Sequence, residues 1–154
     1  MITMLWVMLS ALSFGHAYLE SSTPLGDATA TATPLRQVSL HFSEPVHINE
    51  SIFKVYPLQP NDDELALKAS ATALIAEVMD PRFVGVTDRR NDEDDRVDAG
   101  LVASQSPSAD IVIRLKEGLK PGPYAVMWKV RSVDTHFTDG WFLFYYEPET
   151  DDGA

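Results

Sequence analysis

The stretch from Lys120 to Arg131 constrains the fold of this chain more than any other. Lys120-Pro121-Gly122-Pro123 is a turn signal, and after it Tyr124, Val126, Trp128 and Val130 alternate with Ala125, Met127, Lys129 and Arg131. That period of two puts one set of side chains on each face of a strand, with Trp128 on the apolar phase as a core plug. Val38, Leu40 and Phe42 alternate with Ser39 and His41 in the same way, and Pro45 limits the ladder beyond them. Strands are also expected over 17–23, 51–56, 111–115 and 140–146, with Pro/Gly punctuation between them and a loop over 27–34. The segment Leu65 to Met79 fits helix or strand equally, because Ala, Leu and Glu favour a helix while its apolar bursts are short. Many short strands with little sustained helix predict an all-β chain, an immunoglobulin-like antiparallel β-sandwich of Greek-key type.

The chain has 154 residues, and its 45% apolar content suits one globular domain with a real core. A net charge of −11 excludes nucleic-acid binding, which needs a basic face. There are no cysteines, so a disulfide framework and thiolate metal ligation are both excluded. Residues 87–100 carry Asp88, Asp92, Glu93, Asp94, Asp95 and Asp98 and are expected to form a solvated loop; the calcium-loop spacing is missing from them. In the last expected strand Phe142 and Phe144 point to the core. Trp141, Leu143 and Tyr145 then form an apolar stripe on the other face, to be covered by a partner or by the central insertion.

The chain opens with a short apolar leader, 1–15, ending Ser13-Phe14-Gly15, with small residues where a signal peptidase requires them. Its n-region has no Lys or Arg, and it is too short to span a bilayer as an anchor. Cleavage is therefore expected before His16. The mature chain then begins with histidine, whose α-amine and imidazole together form a two-nitrogen chelate suited to Cu(II). Far downstream, Asp134 and His136 are spaced by two, which puts a carboxylate and an imidazole on one face of an extended segment. With His16 they give three nitrogens and one oxygen, a set that matches the tetragonal preference of Cu(II). Proton competition for an amine and imidazoles predicts weaker binding as pH falls.

Beyond these readings, the mature chain resembles the CopC family of periplasmic copper-resistance proteins. The matching pieces are the run from His16-Ala17-Tyr18 to Thr23-Pro24, the run from Val38 to Val46, and Leu119 to Tyr124. The match continues through Trp128, Ser132, Asp134-Thr135-His136 and Gly140 to Phe144, in order and in spacing. The resemblance implies a domain over 16–147 with an acidic tail over 148–154, and one Cu(II) ion per chain held by His16, Asp134 and His136. It also implies Glu44 as an outer or axial carboxylate. It further implies a non-enzymatic periplasmic carrier, monomeric or weakly bridged into a dimer by copper, that delivers to an inner-membrane CopD-type transporter.

Two departures stand out. The Met-rich loop of a Cu(I) site is missing, since Met127 is mid-strand and Met79 stands alone. Phe137 replaces the usual Pro after the ligand histidine, which predicts a looser loop. His41 is expected on the surface and His47 in a solvated loop. The competing readings are a copper monooxygenase with an N-terminal histidine brace, and a metal-free adhesion domain.

Overall fold

The computed structural model describes residues 16–78, 92–102 and 105–149. The leader over 1–15, Met79, residues 87–91 of the acidic run and the tail from 150 onward therefore lie outside the described residues. Among the described residues eight strands form two sheets. One has the order β1 (Leu19–Thr23), β3 (Gln37–Val46), β6 (Ser108–Leu115) and β5 (Asp98–Leu101). The other runs β2 (Thr29–Ala30), β8 (Phe137–Tyr146), β7 (Gly122–Arg131) and β4 (Ile52–Pro57). All neighbours are antiparallel except the two-residue β2, which pairs parallel to β8 inside the stretch expected to be loop. This is the β-sandwich that the alternation implied.

The inward phases meet where the patterns placed them. Val38, Leu40 and Phe42 from β3 pack against Tyr124, Val126, Trp128 and Val130 from β7, with Phe144 fully buried between the sheets. The Phe42 ring meets Trp128 edge-on at 6.0 Å and Phe53 at 6.3 Å, geometries that aromatic quadrupoles favour. Pro45 acts as expected: pairing of β3 with β6 breaks after His41 and resumes only at Val46. Gly140 lies opposite Trp128 in the β7–β8 ladder, and a methyl group there would overlap the indole. Gly140→Ala is expected to cost about 1–3 kcal/mol, the usual range for overpacking, read as a lower denaturant midpoint at unchanged slope.

The ambiguous segment is a helix, α1 (Glu64–Val78). Asp63 caps it, its carboxylate accepting from the backbone N–H of Leu65 at 3.0 Å and of Ala66 at 3.4 Å. Leu67, Ala71 and Ile75, one residue per turn, are buried against the outer face of the second sheet. They cover Leu143, Ala125, Met127 and Tyr56, with Trp141 and Tyr145 partly buried alongside. The apolar stripe of β8 is thus covered by the central insertion.

The acidic run departs further from expectation. Asp92 accepts hydrogen bonds from Lys54 Nζ and Tyr56 Oη, both at 2.7 Å, and Lys54 is only 3% exposed. Asp98 begins β5 and also accepts from the Val55 amide at 2.9 Å, while the Val97 amide donates to the Val55 carbonyl at 2.8 Å. β4 is an edge strand, and residues 97–98 take up its outward donor and acceptor at Val55. Arg96 joins Asp92 and Asp98 at 3.0 and 3.1 Å. The segment from 92 is therefore folded onto the sheet and not a solvated loop, because buried Lys54 and Tyr56 need a polar partner there.

Candidate metal centre

Pairing of β7 with β8 runs from Gly122↔Tyr146 to Arg131↔Phe137, and this leaves Ser132 to His136 as the connection. The Ser132 amide donates to the His136 carbonyl at 3.0 Å and the Thr135 amide to the Ser132 carbonyl at 2.9 Å. Thr135 sits at φ +74°, the left-handed conformation that closes the turn. Asp134 Oδ1 accepts from the Ser132 hydroxyl and, at 3.0 Å, from the His136 amide. Its Oδ2 lies 3.1 Å from His136 Nδ1. The Ser132 hydroxyl and then the His136 amide hold the Asp134 carboxyl down to about 2, so it is ionised throughout the neutral range. The His136 ring itself is 62% exposed.

β1 carries His16 to the same place. The buried Ala17 offers its carbonyl to the Thr138 hydroxyl at 2.6 Å, across 121 positions of sequence. Tyr18 and Ser43 bond twice, amide to hydroxyl at 3.1 Å and amide to carbonyl at 2.9 Å. The rings of His16 and His136 consequently lie 4.7 Å apart, tilted by 48°. Glu44 falls between these ties, since Ser43 before it bonds Tyr18 and the Pro45 carbonyl after it accepts from Val133 at 3.3 Å. Its Oε1 is buried with no hydrogen-bond partner among the described residues, an acceptor that a cation or an ammonium group would satisfy.

Among the described residues no three His or carboxylate groups already converge as a formed metal cage. His136 adjoins both His16, ring to ring, and Asp134. The Nδ1 atom of His136 faces Asp134, and the α-amine of His16 exists only once the leader is cut.

The other expected features resolve as follows. His41 is on the outer face of the first sheet, with Nδ1 2.6 Å from Asp110 Oδ1 and Nε2 3.6 Å from Glu20 Oε2. His47 is half-buried, its amide donating to the Arg131 carbonyl at 2.8 Å, and not in an open loop. Phe137, where the resemblance expected Pro, starts β8 opposite Arg131. Lys129 Nζ and the Arg131 guanidinium stand 5.7 and 5.9 Å from its ring centre. Met127 is 1% exposed, packed against Tyr56 and Ile75. Sequence reasoning gave no role to Thr138 or to the cations over Phe137. The extended segment expected around Asp134 and His136 is instead a turn, and β8 begins only at Phe137, so strand alternation does not reach from His136 to Thr138.

The family profile described as the CopC domain matches residues 60–147, more than half of the chain. Protein YobA of Escherichia coli K12 is 29% identical over 132 residues, covering 85% of this chain and 78% of YobA. Two solved structures share the fold. CopC from Methylosinus trichosporium OB3b has a TM-score of 0.57 at 17% identity, covering 88% of this chain and 97% of that one. PcoC, a methionine-rich copper resistance protein from Escherichia coli, has a TM-score of 0.57 at 22% identity, covering 86% of this chain and all of PcoC. With a two-sheet sandwich and a domain match that takes in the helix and the strands β5 to β8, this chain belongs to the CopC family of copper-resistance proteins.

Proposed function

We propose that the chain, once cut before His16, is a periplasmic carrier that binds one Cu(II) ion. The ligands are the His16 amine and ring, Asp134 and His136, with Glu44 beside them as an outer or axial carboxylate. The domain is residues 16–147, the leader 1–15 and the acidic tail 148–154. Release goes to an inner-membrane CopD-type transporter. CopC proteins are copper-resistance proteins and not enzymes, so the monooxygenase alternative is set aside. The adhesion alternative has nothing in its favour in a copper-binding family. No helix among the described residues is long and apolar enough to cross a membrane.

The observation that carries this reading is the 4.7 Å approach of two imidazoles from opposite ends of the sequence, beside a carboxylate held ionised. Three nitrogens and one oxygen favour Cu(II). Titration of protein beginning at His16 should saturate at one Cu(II) per chain. Asp134→Ala and His136→Ala should each weaken binding by well over tenfold. A variant pair with unchanged affinity would sink the assignment.

The acid dependence has a definite sign. A carboxyl held at about 2 in the folded chain, against about 3.9 unfolded, stabilises the loop above about pH 4 and loses that contribution as pH falls toward 2. Asp134 therefore remains a charged ligand above pH 4. Any loss of copper between pH 8 and 5 must come from protons on the nitrogen donors. Affinity measured at pH 8, 7, 6 and 5 is expected to fall at every step in wild type.

A further inference from the structure

We infer that Ser132 is a positioning residue that makes Asp134 a one-oxygen ligand, presenting Oδ2 alone on the side of His136; this rests on the Cu(II) reading above. Ser132 is the first residue after β7 and is fully buried. It is fixed on three sides. Its backbone forms a bridge with Val46, its amide donates to the His136 carbonyl, and its carbonyl accepts from the Thr135 amide. The hydroxyl then has little freedom.

Two acceptors stand within its reach, Asp134 Oδ1 and, at 3.3 Å, the His136 carbonyl. A hydroxyl carries a single proton, and the charged acceptor takes it. The His136 amide gives Oδ1 a second donor at 3.0 Å. Oδ1 is thereby committed to the loop itself. Oδ2, on the other side of the carboxyl, faces His136 Nδ1 at 3.1 Å. A carboxylate free to rotate could offer either oxygen or both to a metal. Held as it is by Ser132, it offers one, the oxygen that faces the ring of His136. The fixed orientation also holds the His136 backbone, because the same Oδ1 that Ser132 anchors accepts from that residue's amide.

Losing such an outer hydrogen bond typically lowers metal affinity 10–100-fold. Ser132→Ala, with a free His16 amine, is expected to bind Cu(II) about 10–100-fold more weakly in chelator competition, with an altered electron paramagnetic resonance spectrum. Ser132→Thr, which keeps the hydroxyl, should restore both. In metal-free protein the His136 amide should exchange with deuterium faster in Ser132→Ala than in wild type or Ser132→Thr. Ser132→Gly also lacks the hydroxyl and serves the same test if the alanine variant does not fold. Wild-type affinity and spectrum in the variant lacking the hydroxyl would overturn the inference. If wild type itself binds no Cu(II), the copper reading falls, and the metal-free exchange measurement alone decides whether Ser132 holds Asp134: unchanged exchange overturns it.

Discussion

Nα-acetylation of the mature protein at His16 is expected to weaken Cu(II) binding by more than about 100-fold, beyond what losing an outer hydrogen bond costs. Acetylation turns the amine into an amide and destroys the two-nitrogen chelate, so the ion is left with imidazoles and a carboxylate. The fold should not respond. Ala17 remains bonded to Thr138, and Tyr18 to Ser43, whatever the group ahead of His16. Matching circular dichroism and thermal unfolding for the two forms, together with competition titration against a chelator of known affinity, isolates the amine. Equal affinities would mean that copper, if bound, is held by other donors. N-terminal sequencing of the exported protein supplies the companion test, because the chelate requires His16 to be first.

The second large effect concerns stability. Asp92→Ala removes the carboxylate that both Lys54 and Tyr56 bond beneath α1, with Lys54 only 3% exposed. Removing one member of a buried charged cluster costs about 3 kcal/mol, which for a domain of this size lowers Tm by about 10 °C. Burial alone would raise the Asp92 carboxyl. The Lys54 and Tyr56 hydrogen bonds, with the Lys54 and Arg96 charges, outweigh burial and hold it below the ordinary range. A group depressed in this way stabilises the fold above about pH 4 and gives that contribution up on further acidification. Wild type should therefore lose more stability between pH 5 and 3 than Asp92→Ala does. Calorimetry across that range reads both effects, and a variant melting within 2 °C of wild type would show that the acidic segment is dispensable.

The strands with one apolar phase were legible because their environment is simple. Val38, Leu40 and Phe42 face the core, and their neighbours face out. Asp134 and His136 do lie side by side, but not for the reason their spacing suggested: the segment is a turn closed by Thr135 at φ +74°, and the bond from the His136 amide to Asp134 sets the pair, where an extended segment was expected. Helix α1 was not. Its buried stripe is one residue per turn, Leu67-Ala71-Ile75, while Leu65 is 79% exposed and Leu74 half-buried, so apolar residues appear all round it. Nor could the sequence tell which acid of a run rich in them would reach Lys54, because that pairing depends on how β4 and the insertion meet in space. The nearness of His16 to His136 follows from ties at Ala17–Thr138 and Tyr18–Ser43, which no local pattern encodes. Nor did local pattern point to the cations of Lys129 and Arg131 over the Phe137 ring, because they come from the adjacent strand.

Under the proposed cleavage before His16, the hydrogen bond from Thr138 to the Ala17 carbonyl has a kinetic meaning. A ligand on a dangling terminus must be recruited from a cloud of conformations, and fixing each backbone residue costs roughly 1–2 kcal/mol. Here the anchor is already made next door, so only the torsions of a single residue remain to be searched when an ion arrives. Such a terminus behaves as a hinged latch resting against its catch, and shortening Thr138 to Ala should slow metal capture before it abolishes it.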